Sequence, residues 1–252
     1  MDLYYEMTGE GTPLVLLHSG GADLRDWTWV APVLAQQYKV IALDGRGCGQ
    51  SPNPAEEPPD YVDDLLRALD HLGLPQAVIA GHSMGGQIAA EFALKYPERV
   101  TKLVLIAPGL AGFAHSPEFL GWMRRIREAA PDVDRMMEIA LSGPSYRIVM
   151  AGPRREMMER MWKENTIKMM QWGTWESVWP QPPAAERLGE LAVPALFILG
   201  REDVPDLHRI AECFRAVPDI RFAWLEGADH KPTLTHPEEI CRLIIEFVEG
   251  RN

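Results

Sequence analysis

The chain has 252 residues, of which 46% are hydrophobic and 24% are charged, a composition typical of a globular protein with a substantial core. Its formal net charge of −11 at pH 7 predicts a surface that repels nucleic-acid phosphates and anionic lipids, so we expect neither a nucleic acid nor a membrane as a partner. The three cysteines lie far apart without metal-ligand spacing, which predicts reduced thiols and no metal site.

The first residues, MDLYYEMTGEG, lack both the basic and the apolar region of a signal peptide. No apolar run approaches the roughly 18 residues that a membrane span needs. We therefore expect a cytoplasmic protein. Residues 3–7 are predicted to add an antiparallel hairpin at the edge of a sheet.

Six short apolar runs predict β-strands. The runs are continuous rather than alternating, as expected for strands covered on both faces. They lie at 14–17, 40–43, 77–80, 103–106, 195–199 and 222–225.

Helical patterns lie between these runs. Apolar residues recur with helical spacing over 61–72, and a second helix is predicted from Ser83 or Met84 to about position 96. Thr235 and Glu238 have the spacing of a capping box, which predicts that the last helix begins there. The alternation of strands and helices predicts an α/β fold with a mostly parallel central sheet and helices on both faces.

The alternation stops between residues 110 and 183, where most of the methionines and tryptophans lie. We predict a core domain formed by residues 1–109 and 184–252, with 110–183 inserted as a helical cap. The Met and Trp side chains of the insertion either pack as ordinary helix core or form the adaptable apolar wall of a pocket. Met161 and Trp162 are the candidate substrate-binding residues.

The stretch GHSMGG at 81–86 places Ser83 directly between a predicted strand and a predicted helix. A serine in so sharp a turn adopts a strained backbone, and Gly81 and Gly85 relieve the crowding around it. The helix that follows directs its N-terminal dipole and free N–H groups at the same point. The pattern favours a nucleophilic serine over a purely structural turn.

A nucleophilic serine needs a base, itself held by a carboxylate. His230 follows the predicted strand at 222–225 through a short loop and is the best candidate base, whereas His18 is expected to form structural hydrogen bonds at its own turn. His82 flanks the serine, but its side chain is expected to leave the turn in another direction. Asp203 follows the strand at 195–199 and is the preferred carboxylate, with Glu202 as the alternative.

An acyl-transfer site also needs donors for the oxyanion. The backbone N–H of Met84, directly after the serine, is one candidate. The second is the N–H of Gly20 in the turn 18–21, with an uncertainty of one residue, because small residues there let the backbone approach a substrate carbonyl.

With these residues in place, the sequence resembles the α/β-hydrolase fold family from about residue 3 to the last helix. The resemblance implies that the insertion is a helical cap and that Asp44 has a structural rather than a catalytic role. Ser19 replaces the usual glycine after His18, which adds a hydroxyl near the oxyanion hole. The matching motifs are LLHSGG at 16–21, DGRGCGQS at 44–51, GHSMGG at 81–86, LGRED at 199–203 and GADH at 227–230.

The family resemblance implies a serine hydrolase that cleaves an ester, thioester or lactone of a small to medium, partly apolar substrate, with no cofactor. A carbon–carbon bond hydrolase or a lyase that uses the same triad is the alternative among enzymes. A ligand receptor with slow turnover is the alternative from another class, because fold alone does not determine function. We expect a monomer or a homodimer.

Overall fold

A computed structural model of the protein describes residues 1–54, 57–174 and 176–250. The six predicted strands are confirmed, each longer by one to three residues, and a seventh strand precedes them. In the described residues the strands are β1 Tyr5–Thr8, β2 Thr12–Leu17, β3 Tyr38–Leu43, β4 Ala77–His82, β5 Val100–Ile106, β6 Ala195–Gly200 and β7 Ile220–Leu225.

All seven strands form one sheet in the order β1-β3-β2-β4-β5-β6-β7. Strands β2 to β7 pair in parallel, so their carboxyl ends meet at one edge. Ligand sites in open parallel sheets gather at that edge. The predicted α/β fold with a mostly parallel sheet is confirmed.

Helices connect the strands, as the alternating pattern predicts. The α-helices of the described residues are α1 Ala31–Leu34, α2 Tyr61–His71, α3 Met84–Lys95, α4 Pro117–Glu128, α5 Val133–Leu141, α6 Arg147–Ala151, α7 Arg155–Met169, α8 Ala184–Arg187, α9 Pro205–Phe214, α10 Pro232–Thr235 and α11 Pro237–Val248. Short 3₁₀ helices occur at Leu24–Trp27, Pro97–Arg99, Pro144–Tyr146 and Leu188–Glu190. None of the helices in the described part of the chain is long and apolar enough to cross a membrane.

The sheet is buried on both faces, which explains why its strands read as continuous apolar runs. Val15 and Leu17 face one cluster, which includes residues of α2, α3 and α9. Leu14 and Leu16 face the other, together with residues of α1 and α11. Burial of both faces is typical of parallel sheets with crossover helices.

The predicted N-terminal hairpin is wrong in its pairing. Strand β1 lies antiparallel at the edge of the sheet, but its partner is β3, with Tyr5 opposite Leu43 and Thr8 opposite Val40. Strand β2, its neighbour in sequence, is enclosed between β3 and β4 and has no free edge.

The predicted capping box at Thr235 is also wrong. Helix α11 begins at Pro237, after His236, whose side chain does not cap it. The hydroxyl of Thr235 donates instead to the backbone oxygen of Lys231 at 3.0 Å, within the short helix α10. Proline is well suited to the first turn of a helix. Its fixed φ matches the helix, and an N–H at that position would have no acceptor within the helix, so its absence costs nothing.

The described residues of 110–183 contain helices and no β-strand, in keeping with the predicted helical insertion. Their buried side chains form a separate cluster that includes Met136, Met158, Met161 and Trp162. Ala22 and Leu234 of the flanking core loops complete that cluster. The assignment of this segment as a cap stays a prediction.

Helix α7 is fastened to the rest of the chain by Asn165, which is 4% exposed. Its Oδ1 accepts from the N–H of Gly49 at 2.9 Å, and its Nδ2 donates to Asp23 at 2.8 Å. Lys168, one turn further along, donates to the backbone oxygen of Gly49 at 2.7 Å. These bonds hold α7 against the loops that follow β2 and β3.

Candidate active site

Ser83 occupies a strained turn between β4 and α3. Its φ of 53° and ψ of −111° lie in a region that L-residues rarely adopt. A methyl group on Gly81 would lie 2.2 Å from the carbonyl oxygen of Gly85, and one on Gly85 would lie 2.3 Å from that of Leu17. The two flanking glycines are therefore required for the turn that lifts the serine out of the sheet.

His230, in the loop after β7, lies between Ser83 and Asp203. Its Nε2 is 2.8 Å from Ser83 Oγ, and its Nδ1 is 2.9 Å from Asp203 Oδ2. Because a carboxylate only accepts, Nδ1 donates to it, and this leaves Nε2 of the neutral ring free to accept the serine proton. The three side chains form the continuous hydrogen-bonded chain that proton transfer from a serine requires.

The two candidate carboxylates differ in position. Asp203 is 6% exposed, and its second oxygen accepts from the N–H of Val204 at 2.7 Å. Glu202 is exposed and forms an ion pair with Arg147. The geometry therefore favours Asp203 as the partner of His230.

The two candidate oxyanion donors lie side by side. A methyl group on Gly20 would lie 3.7 Å from Cβ of Met84. Among the hydrogen bonds of the described residues, neither the N–H of Gly20 nor that of Met84 has an acceptor. Two unused N–H groups beside a serine are suited to binding an oxyanion.

His18 is buried in the turn after β2. Its Nδ1 donates to the backbone oxygen of Ser19 at 2.8 Å, and its Nε2 accepts from the N–H of Gly45 at 2.9 Å. Both ring nitrogens are used in holding two loops together, in line with the structural role expected for His18.

The two cap candidates have different surroundings. A methyl group on Gly21, next to Gly20, would lie 3.4 Å from the indole ring of Trp162. Met161 is fully buried within the separate apolar cluster of residues 110–183. The structure thus brings Trp162 to the turn that carries the candidate oxyanion donor, whereas Met161 packs in the interior.

Sequence reasoning missed a buried polar cluster around His82, the residue directly before the serine. As expected, the His82 side chain leaves the turn in a different direction from the serine. Its Nε2 donates to the backbone oxygen of His230, in the active-site loop, at 2.7 Å. Its Nδ1 lies 2.7 Å from Asp26 Oδ2. Asp26 also accepts from the N–H of Ser19 and from the hydroxyl of Thr233, both at 2.9 Å.

This cluster joins the loops after β2, β4 and β7. Burial alone would raise the pKa of the Asp26 carboxyl, but the adjacent His82 ring, the charge of Lys231 and the N–H of Ser19 together lower that pKa below the usual value. Burial in turn lowers the pKa of the His82 ring. Asp26 and His82 are 56 positions apart in the chain. No local spacing in the sequence signals this pair.

A family model described as alpha/beta hydrolase fold matches residues 12–237. The chain is 28% identical to the pimeloyl-[acyl-carrier protein] methyl ester esterase of Aeromonas hydrophila subsp. hydrophila, covering 98% of this chain and 100% of that one. It is 25% identical to the 2-hydroxy-6-oxo-6-phenylhexa-2,4-dienoate hydrolase of Comamonas testosteroni, over 99% and 92% of the two chains.

The structure is similar to that of the enol-lactonase from Burkholderia xenovorans LB400, with a TM-score of 0.78, 22% identity and coverage of 98% and 96%. Part of the chain also matches the dihydrolipoyllysine-residue acetyltransferase component of the acetoin cleaving system of Pseudomonas putida. It is 41% identical over 120 residues, which are 46% of this chain and only 32% of that protein.

Proposed function

The chain belongs to the α/β hydrolase fold family, and we propose that it is a serine hydrolase that cleaves a carboxylic ester, thioester or lactone through an acyl-enzyme on Ser83. The observation that carries the proposal is the hydrogen-bonded chain from Ser83 through His230 to Asp203. Relatives named as a methyl ester esterase and an enol-lactonase support the bond type.

In the acylation step, His230 Nε2 takes the proton of Ser83 while Oγ attacks the carbonyl carbon. Asp203 keeps the imidazole oriented and stabilises its positive charge. The tetrahedral oxyanion accepts from the N–H groups of Gly20 and Met84. The intermediate collapses when the bond to the leaving alcohol, thiol or ring oxygen breaks and that atom takes the proton from His230.

Deacylation repeats these steps with water. His230 removes a proton from a water molecule, the hydroxide adds to the acyl carbonyl, and the second tetrahedral intermediate releases the acid as Ser83 Oγ recovers its proton from His230. Every group in the cycle is a side chain or a backbone N–H of this chain, so the proposed reaction needs no cofactor.

The proposed substrate is small to medium in size and partly apolar. We assign residues 110–183 as a cap over the core formed by 1–109 and 184–252, since their helices carry a separate apolar cluster and α7 is fastened over the site by Asn165. Trp162, beside Gly21, contributes an apolar surface next to the carbonyl-binding turn. A cytoplasmic location and a monomeric or homodimeric state stay predictions from the sequence.

A carbon–carbon bond hydrolase is the second candidate, because one relative over nearly the full chain is named as a 2-hydroxy-6-oxo-6-phenylhexa-2,4-dienoate hydrolase. Such an enzyme would cleave a carbon–carbon bond of its substrate, and we expect it to turn over simple esters poorly. Ligand sensing with slow turnover differs from both in stalling after a single acylation.

The test is hydrolysis of a panel of p-nitrophenyl esters, thioesters and lactones of graded chain length. We expect at least one substrate with kcat in the common enzyme range of about 1–10³ s⁻¹. Ser83→Ala should abolish both turnover and labelling by a fluorophosphonate probe, whereas Ser142→Ala, an exposed serine of the cap, should change neither. Labelling that persists in Ser83→Ala would refute the nucleophile.

A further inference from the structure

Lys231, the residue directly after His230, is buried although it carries a charge. Only 1% of its surface is exposed, and it is one of the largest fully buried side chains of the described residues. Lysine is almost never fully buried unless its charge is paired, because desolvation of an ammonium group is unfavourable. A buried lysine next to an active-site histidine therefore calls for a functional explanation.

The ammonium group lies where three parts of the chain meet. Its Nζ donates to Ser19 Oγ at 2.7 Å and lies 5.2 Å from the centre of the Tyr146 ring, whose face attracts a cation. Ser19 immediately precedes Gly20, the candidate oxyanion donor, and Tyr146 comes from the cap. The positive charge is therefore held at the turn that would bind the substrate carbonyl.

Among the described residues, no carboxylate forms an ion pair with this ammonium group. The nearby Asp26 is already bonded to the N–H of Ser19, the hydroxyl of Thr233 and the ring of His82. The Asp229 carboxylate accepts from backbone N–H groups, those of Ile148 and of Lys231 itself. The charge of Lys231 is thus left without an anion in direct contact.

We propose that Lys231 is a positioning residue for the oxyanion: it fixes the turn of Ser19 and Gly20 and places beside that turn a positive charge that no carboxylate contacts directly. The substrate carbonyl is neutral when it binds, and its oxygen becomes negative only as the tetrahedral intermediate forms. Lys231 therefore stabilises the transition state more than the bound substrate, and this difference is what accelerates a reaction.

The inference rests on the proposed hydrolase function and is tested with Lys231→Met, which keeps the length of the side chain and removes the charge. On neutral p-nitrophenyl esters we expect kcat to fall on the order of tenfold, with KM unchanged. A trifluoromethyl ketone, which forms an anionic adduct with a serine, should bind about tenfold more weakly. The matching methyl ketone should bind as before.

The matched control is Lys163→Met on the same cap helix as Trp162. Lys163 is partly exposed and pairs with Asp134, so its replacement should leave kcat, KM and both ketone affinities unchanged. Thermal unfolding of each variant is measured alongside. If Lys231→Met does not fold, Ser19→Ala, which removes the hydrogen bond and keeps the ammonium group, should lower kcat severalfold at constant KM.

Three results would overturn the inference. The first is an unchanged kcat in the variant that folds, and the second is an equal loss of affinity for both ketones. The third is a KM that rises only for esters that carry a carboxylate, with kcat unchanged. The last would make Lys231 a receptor for a substrate anion. If the wild-type protein shows no Ser83-dependent turnover, the proposed function itself fails. If the wild-type protein is active and Lys231→Met has the same kcat and the same ketone affinities, only this inference fails.

Discussion

The ring of His82 donates through Nε2 to the backbone oxygen of His230 at 2.7 Å. The residue directly before the proposed nucleophile thus holds the loop that carries the proposed base. Asp26, fully buried, contacts the other ring nitrogen and also accepts from the N–H of Ser19. One buried pair therefore sets the relative positions of the serine turn, the histidine loop and the turn with the candidate oxyanion donor.

Replacement of His82 should impair both stability and catalysis. His82→Leu removes one hydrogen-bond partner of the buried Asp26 carboxylate, and a hydrogen bond to a charged group typically contributes about 1.5–3 kcal/mol of unfolding free energy. We expect a lower urea midpoint and a reduced kcat, with a smaller loss of kcat in His82→Gln, which retains an N–H donor. An unchanged kcat in His82→Leu would show that the loop of His230 is held by other contacts.

The two neighbouring carboxylates should respond differently to neutralisation. Asp203→Asn removes the acceptor that fixes the tautomer of His230, and we expect kcat to fall by a factor of about 10⁴. Glu202→Gln, on the exposed neighbour, should stay within twofold of the wild type, roughly the scatter of surface substitutions. Steady-state kinetics on one p-nitrophenyl ester decides this, and a reversed order would assign the role to Glu202.

Glycine at the serine turn should be irreplaceable. In Gly81→Ala the new methyl group would lie 2.2 Å from the oxygen of Gly85, so the backbone of the turn must move. We expect loss of fluorophosphonate labelling together with a lower melting temperature. Gly121→Ala, inside helix α4 with open space around it, should instead gain about 0.5–1 kcal/mol of stability and keep full labelling.

Trp162 and Met161 should separate specificity from stability. Trp162→Ala removes the ring beside Gly21, and we expect a changed preference for acyl-chain length with little change of rate on acetate esters. Met161→Ala opens a cavity in the cap cluster, which should cost about 2–5 kcal/mol of unfolding free energy. The cap assignment would be contradicted if Trp162→Ala lowered kcat/KM equally for every ester.

The carboxylate of Asp26 should stabilise the fold in a pH-dependent way. Its pKa in the folded protein lies below the ordinary value of 3.8, so the unfolded chain takes up the proton first as pH falls. The stabilisation is complete above about pH 5 and is lost as pH falls below about 4. Urea unfolding of the wild type and of Asp26→Asn should therefore differ by a constant amount near neutral pH and converge in acid.

Local patterns were sufficient wherever neighbours in the chain decide the structure. The continuous apolar runs placed six strands, and GHSMGG placed Ser83 in a sharp turn, since the glycines at 81 and 85 act on atoms a few residues away. The order of turns after parallel strands also brought His230 and Asp203 to the edge of the sheet where Ser83 lies, because that topology gathers all strand ends on one side.

The local patterns failed in two places, for different reasons. The pairing of β1 depends on which strand of the sheet leaves a free edge, and that strand, β3, lies far away in the sequence. The Thr235 hydroxyl bonds to the backbone oxygen of Lys231, four residues earlier, so a second local acceptor replaces the predicted helix N-terminus.

The sequence by itself thus determined the α/β fold, the sharp turn at Ser83 and the candidates for the partners of that serine. Only the tertiary structure favoured Asp203 over Glu202 by burial, showed that Lys231 is buried, and joined His82 to Asp26. The physical reason is that burial and hydrogen bonding of a polar side chain depend on which chain segments enclose it. The enclosing segments are loops that lie far apart in the sequence and meet only when the sheet has formed.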